Sequence, residues 1–143
     1  MRVSYLIISG IFITVASFMA VAQEEKSSNA DTLQNRLHEL RTERRDTLAE
    51  SLDLLRSQLK ASLIQVDVVY AAEAELVLAE LELTPDSKER SPLHNKRIYC
   101  LRQKEEFLQT LHQAGKASEN ECLEAKAERI QAEIEFLEEG VKE

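Results

Sequence analysis

Tryptophan is absent from the chain, and glycine, proline and cysteine are scarce, with three, two and two copies in 143 residues. Aromatic residues reach only 5%. A sheet needs turn residues between its strands and a base-stacking surface needs rings, so this composition excludes a β-sandwich, a β-barrel and an aromatic nucleic-acid platform. The glycines Gly10, Gly115 and Gly140 stand far apart, which removes every glycine-rich phosphate loop and the nucleotide-dependent enzymes with it. Charge is plentiful but one-sided, 26 acidic residues against 18 basic ones for a net charge of −8. That excess opposes the phosphate backbone, and no nucleic-acid partner is expected.

Groups that carry chemistry are equally thin. His38, His94 and His112 each lack a second histidine three or four residues away, so the spacing of a helical metal site is missing. Glu73/Glu75, Glu80/Glu82 and Glu133/Glu135 sit two apart and point to different faces of a helix, as solvated acids do. No serine lies in a G-x-S-x-G elbow. These absences predict no catalytic residue, no metal and no cofactor; the protein is expected not to be an enzyme.

The chain opens on a different composition. After Met1 and Arg2, residues 6–18 are mostly apolar, and Ala20-Val21-Ala22 has the small-residue pattern of a signal-peptidase site before Gln23-Glu24-Glu25-Lys26. Residues 1–22 therefore read as a secretory signal cleaved after Ala22, which makes the protein periplasmic or otherwise exported. Uncleaved, the same segment is just long enough to anchor the chain, and this is its one route to the membrane. Residues 23–30 are small and polar and read as a flexible leader.

From Asp31 onward the pattern is helical, and the fold class is all-α. No glycine or proline interrupts residues 31–83, so they read as one very long first helix, about 80 Å at roughly 1.5 Å per residue. Its apolar content changes partway: 8 of the 28 residues in 31–58 are apolar, but 17 of the 25 in 59–83. The first half carries only a seam, Leu33, Leu37, Leu40, Leu48, Leu52 and Leu55, suited to a second copy or another helix, while the second half must be covered on several sides. Thr84, Pro85 and Asp86 break the helix, with Thr84 as the expected cap. A hairpin follows, 88–114 and 118–139, joined at Gly115 and restarted by the capping box Ser118-x-x-Glu121. Leu93, Ile98, Leu101, Leu108 and Leu111 share one face of its first arm. Its second arm has a 4-3-4-3-4 apolar series, Leu123, Ala127, Ile130, Ile134, Leu137 and Val141. Folded back on 59–83, these helices form an elongated antiparallel coiled coil or three-helix bundle, and residues 31–143 form one helical domain.

That hairpin bears on the cysteines. Turning near residue 116, it sets Cys100 opposite about residue 133 and Cys122 opposite about 111, an offset of roughly 16 Å that no disulfide spans. Cys100 and Cys122 are then buried thiols, or they link separate chains.

The segment Ala114-Gly115-Lys116-Ala117-Ser118-Glu119-Asn120-Glu121, continuing through Ala125-Lys126-Ala127, resembles the periplasmic hairpin tip of TolC-type outer-membrane efflux proteins. The likeness covers about residues 107–137, with Glu121 where that family usually has Asp and with no barrel strands. It implies docking of an envelope partner at Gly115, Lys116, Ser118 and Glu121. The sequence as a whole predicts a non-enzymatic, exported coiled-coil interaction protein of the cell envelope that forms homo-oligomers, associated with an efflux-type assembly through that tip. The alternatives are a periplasmic chaperone or stress-response helical protein and, more distantly, a metal-sensing helical module.

Overall fold

The computed structural model describes the backbone of residues 13–141 and the side chains of residues 31–141. Every regular element among them is helical: α1 (Ile13–Lys60), α2 (Val66–Leu83), α3 (Ser87–Gln113) and α4 (Glu119–Val141). Residues 1–12 of the expected signal segment lie outside the described residues, and the backbone of 23–30, expected as a leader, is helical within α1. The chain divides into two units, the first ending at Glu39 and the second starting at Leu40. In the first, Leu33 and Leu37 are exposed and Arg36 pairs with Glu39 at 3.1 Å.

The single helix expected over 31–83 does not exist; the chain breaks at residues 61–65, between α1 and α2. The break uses neither glycine nor proline. Ser62 takes the left-handed conformation, φ 59°, that ends a helix. Its N–H donates to the Leu59 carbonyl at 2.9 Å, and the Leu63 N–H reaches back to the Gln58 carbonyl at 3.0 Å. These are the two bonds of a Schellman ending, with serine in the position glycine usually holds. Past this turn α2 returns antiparallel along α1: Arg56 pairs with Glu73 near the turn, and Arg44 with Glu82 at 2.7 Å near the far end.

This return corrects the proposed oligomer seam. Leu52 is 3% exposed, and Leu48 and Leu55 are half-buried, so the chain's own folded unit covers them. Leu33, Leu37 and Leu40 remain exposed. The coverage demanded by the apolar run 59–83 is met by α1 and α3. In α2 only Val68, Glu75 and Glu82 are exposed, a single line at seven-residue spacing, while Val77 is wholly buried.

Thr84 closes α2 rather than opening α3. Its N–H donates to the Leu81 carbonyl and its hydroxyl to the Glu80 carbonyl at 2.8 Å. The N-cap of α3 is Asp86, which accepts from the Lys88 N–H at 2.8 Å, and Pro92 lies inside the helix. The expected face of α3 turns inward: Leu101 and Leu108 are buried, and Ile98 packs against a core formed by Ala74, Cys100, Leu101 and Ala132. Cys100 thus meets Ala132 from α4, within a residue of the expected register. Both cysteines are free, Cys100 buried and Cys122 half-buried. Burial, with Glu73 beside it, pushes the Cys100 thiol up to about 11.

Candidate interaction surfaces: the hairpin tip and the outer face of α4

The tip is built as its residues dictate. Gly115 has φ 69°, its N–H donates to the His112 carbonyl at 2.9 Å, and the Lys116 N–H reaches the Leu111 carbonyl at 2.8 Å. Ser118 and Glu121 complete a reciprocal capping box: the Ser118 N–H donates to Glu121 Oε2 at 2.7 Å, and the Glu121 N–H to Ser118 Oγ at 3.2 Å. The bond from the Ser118 backbone, joined by that from its hydroxyl, holds the Glu121 carboxyl below its ordinary pKa. His112 Nδ1 lies 3.0 Å from the Ala117 carbonyl oxygen, bracing the loop. Gly115, Lys116 and Ser118 on a short loop and Glu121 in the first turn of α4 are therefore brought together at one exposed and well-bonded tip.

The α4 helix is rotated opposite to what its apolar series suggests. Leu123, Ile130, Ile134 and Leu137 are 57%, 40%, 42% and 68% exposed, and Ala127 and Val141 are exposed too. What faces the bundle is the other side, Ala125 and Ala132, at 0% and 1%. Their small side chains give the α3 side chains room, and around them runs a ladder of ion pairs. Arg90 grips Glu139, Arg97 meets Glu135, Lys104 meets Glu128 at 2.6 Å, and Arg129 bonds Glu105. Glu105 is itself a buried charge, 7% exposed, and it also accepts from Gln109.

At the α2–α3 end this ladder includes a histidine. His94 is 4% exposed, its ring stacks on Phe136 with centroids 5.2 Å apart, and Nε2 lies 2.9 Å from Glu139 Oε2. Hydrogen bonds from Arg90, and then from His94, hold the Glu139 carboxyl down at about 2. A shallow cleft of about 470 Å³ opens here between α2, α3 and α4. Of the carboxylates lining it, Glu82, Glu135 and Glu139 are already matched to Arg44, Arg97 and Arg90. The cluster ties helices together rather than presenting a base beside a nucleophile. Among the described residues no three histidines, cysteines or acids are placed to hold a metal ion, and no helix is long and apolar enough to cross a membrane.

Magnitudes explain why the outer face of α4 matters. Covering a leucine or isoleucine is worth about 1.5–3 kcal/mol, whereas a solvent-exposed ion pair contributes roughly 0.2–1 kcal/mol. The ladder is partly buried and stronger than such a surface pair, but facing it inward still leaves four large apolar side chains of α4 at the surface of this folded unit. Amphipathic periodicity found this stripe in the sequence but could not tell which way it turned. The signal for that was the second periodicity in the same helix, Ala125 and Ala132 seven residues apart and flanked by glutamates that pair with cations of α3. Comparison with known proteins finds no matching family model, no matching curated protein and no matching solved structure.

Proposed function

We propose that this is a non-enzymatic, exported interaction protein of the cell envelope, released after Ala22, which works by presenting helical surfaces to a protein partner. The outward turn of Leu123, Ile130, Ile134 and Leu137 on α4 carries this reading, because a contiguous apolar face rimmed by charge is what a partner helix covers. The tip residues Gly115, Lys116, Ser118 and Glu121 form the second surface. Their resemblance to an efflux-protein hairpin end supports docking onto an envelope assembly, and the short bonded loop suits such a role because it needs no ordering on contact. Homo-oligomerisation belongs to the same reading, with Leu33, Leu37 and Leu40 as the part of the leucine seam left uncovered.

Site-specific photo-cross-linkers at Lys116 and at Ala127, introduced in producing cells, test this. Protein adducts are expected at both sites, Glu121→Lys should reduce those from Lys116, and the intact mass should begin at Gln23. No protein adduct at either position, the chain itself included, would remove the interaction reading.

A further inference from the structure

The apolar series of α4 needs an occupant, and the charges around it narrow the choice. The α4 helix carries eight glutamates against Lys126 and Arg129. A second α4 would bring this acidic surface against its own like, and it would leave Leu33, Leu37 and Leu40 uncovered. A suitable occupant has apolar residues at the same 4-3 spacing and a basic rim. One segment of this chain meets that description. Residues 33–45 hold Leu33, Leu37 and Leu40, all exposed, among four arginines and two glutamates.

We infer that the apolar face of α4 is covered by the Leu33–Arg44 segment of a second copy of this chain, running antiparallel to it. This rests on the interaction reading above and names its partner. In the antiparallel register that sets Leu37 against Ile130, Leu33 falls opposite Ile134 and Leu40 opposite Ala127. Three of the four flanking pairs then meet with opposite charge: Arg36 with Glu133, Arg41 with Glu124, and Glu43 with Lys126. Gln34 meets Gln131. A slip of seven residues one way places Arg36 against Lys126, and the other way places Glu43 against Glu133, so charge selects one of the three registers that keep the leucines on the stripe. Arg41 and Lys126 make no ion pair among the described residues, and Glu124 accepts only from Asn120 at 2.6 Å, so these rim groups are available to a partner, whereas Arg36 already pairs with Glu39 and Glu133 with Arg129 and Arg102.

Sedimentation of the purified full chain, with circular dichroism as a check on folding, decides it. The wild-type protein should self-associate. Arg41→Glu and Glu124→Arg should each weaken association by roughly three- to tenfold, with helicity unchanged, through an attractive pair turned repulsive. An equimolar mixture of the two variants should recover near wild-type association, because each then offers the other a matched pair. Ile130→Lys should weaken association more than either. A monomer up to millimolar concentration, failure of the mixture to recover, or normal association of Ile130→Lys overturns the inference. Recovery failing while Ile130→Lys dissociates the protein identifies α4-on-α4 packing instead. A monomer whose Ala127 cross-linker still captures another protein in cells overturns the second copy as occupant and leaves the interaction reading standing.

Discussion

Arg90 holds Glu139 through both carboxylate oxygens, Nε to Oε1 at 2.5 Å and Nη2 to Oε2 at 2.7 Å, while its Nη1 donates to the carbonyls of Leu81 and Thr84. One side chain therefore ties the end of α4 to the end of α2 and the turn that follows. The geometry is bidentate and about a quarter exposed, which places it above an ordinary surface pair in strength.

The first prediction is a pH dependence. Glu139 is held at about 2 when folded, below its ordinary value of 4.5, first by the Arg90 hydrogen bonds. A carboxylate depressed in this way adds stability that is present in full above about pH 4.5 and is lost as pH falls toward 2. Partial exposure screens the effect, so its size is of order 2 kcal/mol. Urea denaturation at pH 7 and pH 3 should show the wild type losing more stability than Glu139→Gln between these values. Equal losses would mean that Glu139 is not the responsible group.

The second prediction separates two leucines of one seam. Leu52 is 3% exposed and Leu37 is 41% exposed. Leu52→Lys must bury a charge or open the α1–α2 contact, a loss of several kcal/mol by the usual cost of unpaired buried charge. Leu37→Lys should leave the melting temperature within about 2 °C, since surface changes usually cost less than 0.5 kcal/mol, while lowering self-association. A melt of each variant beside its sedimentation profile checks both.

The difference between those residues shows what the sequence could reveal. Periodicity, though it left residues 23–30 outside the helices, located the helical stretches from residue 31 onward and the hairpin at Gly115, because glycine at a helix end and Ser-x-x-Glu at a helix start act through local bonds. It missed the turn at Ser62 because that ending uses the same backbone bonds with a residue that rarely adopts φ above zero. The change at residue 59 from a thin seam to an all-round apolar helix was the visible trace of that turn: a helix covered on several sides needs neighbours on both. The rotation of α4 was hidden for a different reason. A stripe of leucine and isoleucine states that a face is to be covered, but not whether the cover comes from the same chain. The turn at Gly115 was legible; the exposure of the apolar face of α4 was not.

A third prediction concerns the thiols. Cys100 is 2% exposed, lies 3.6 Å from Glu73 Oε2, and has its pKa pushed up to about 11 by burial and that carboxylate. The thiolate is the reactive form, so Cys100 should resist a thiol reagent at pH 7.5 until the protein unfolds. Cys122, half-buried next to the tip, should react first. Timed alkylation read by peptide mass should give one fast and one slow site, and rapid labelling of Cys100 in the native protein would contradict its burial.

The last prediction compares the two left-handed helix endings. Ser62 at φ 59° and Gly115 at φ 69° occupy equivalent positions, one with a side chain and one without. A left-handed conformation costs a non-glycine residue about 1 kcal/mol, so Gly115→Ala should destabilise the protein by about that amount even though a methyl group there would meet nothing within 4 Å. Ser62→Gly removes the same strain at the α1–α2 turn, and the greater freedom of glycine in the unfolded chain offsets part of the gain, leaving a rise of about 0.5 kcal/mol. Gly140 supplies the control. It lies inside α4 with open space around it and no left-handed angle, so Gly140→Ala should stabilise by up to about 1 kcal/mol through helix propensity alone. The three substitutions should thus give opposite signs for two Gly→Ala changes and a gain for a Ser→Gly change. Equilibrium denaturation of each variant measures them, and a Ser62→Gly protein less stable than wild type would show that the α1–α2 turn does not rest on this left-handed residue.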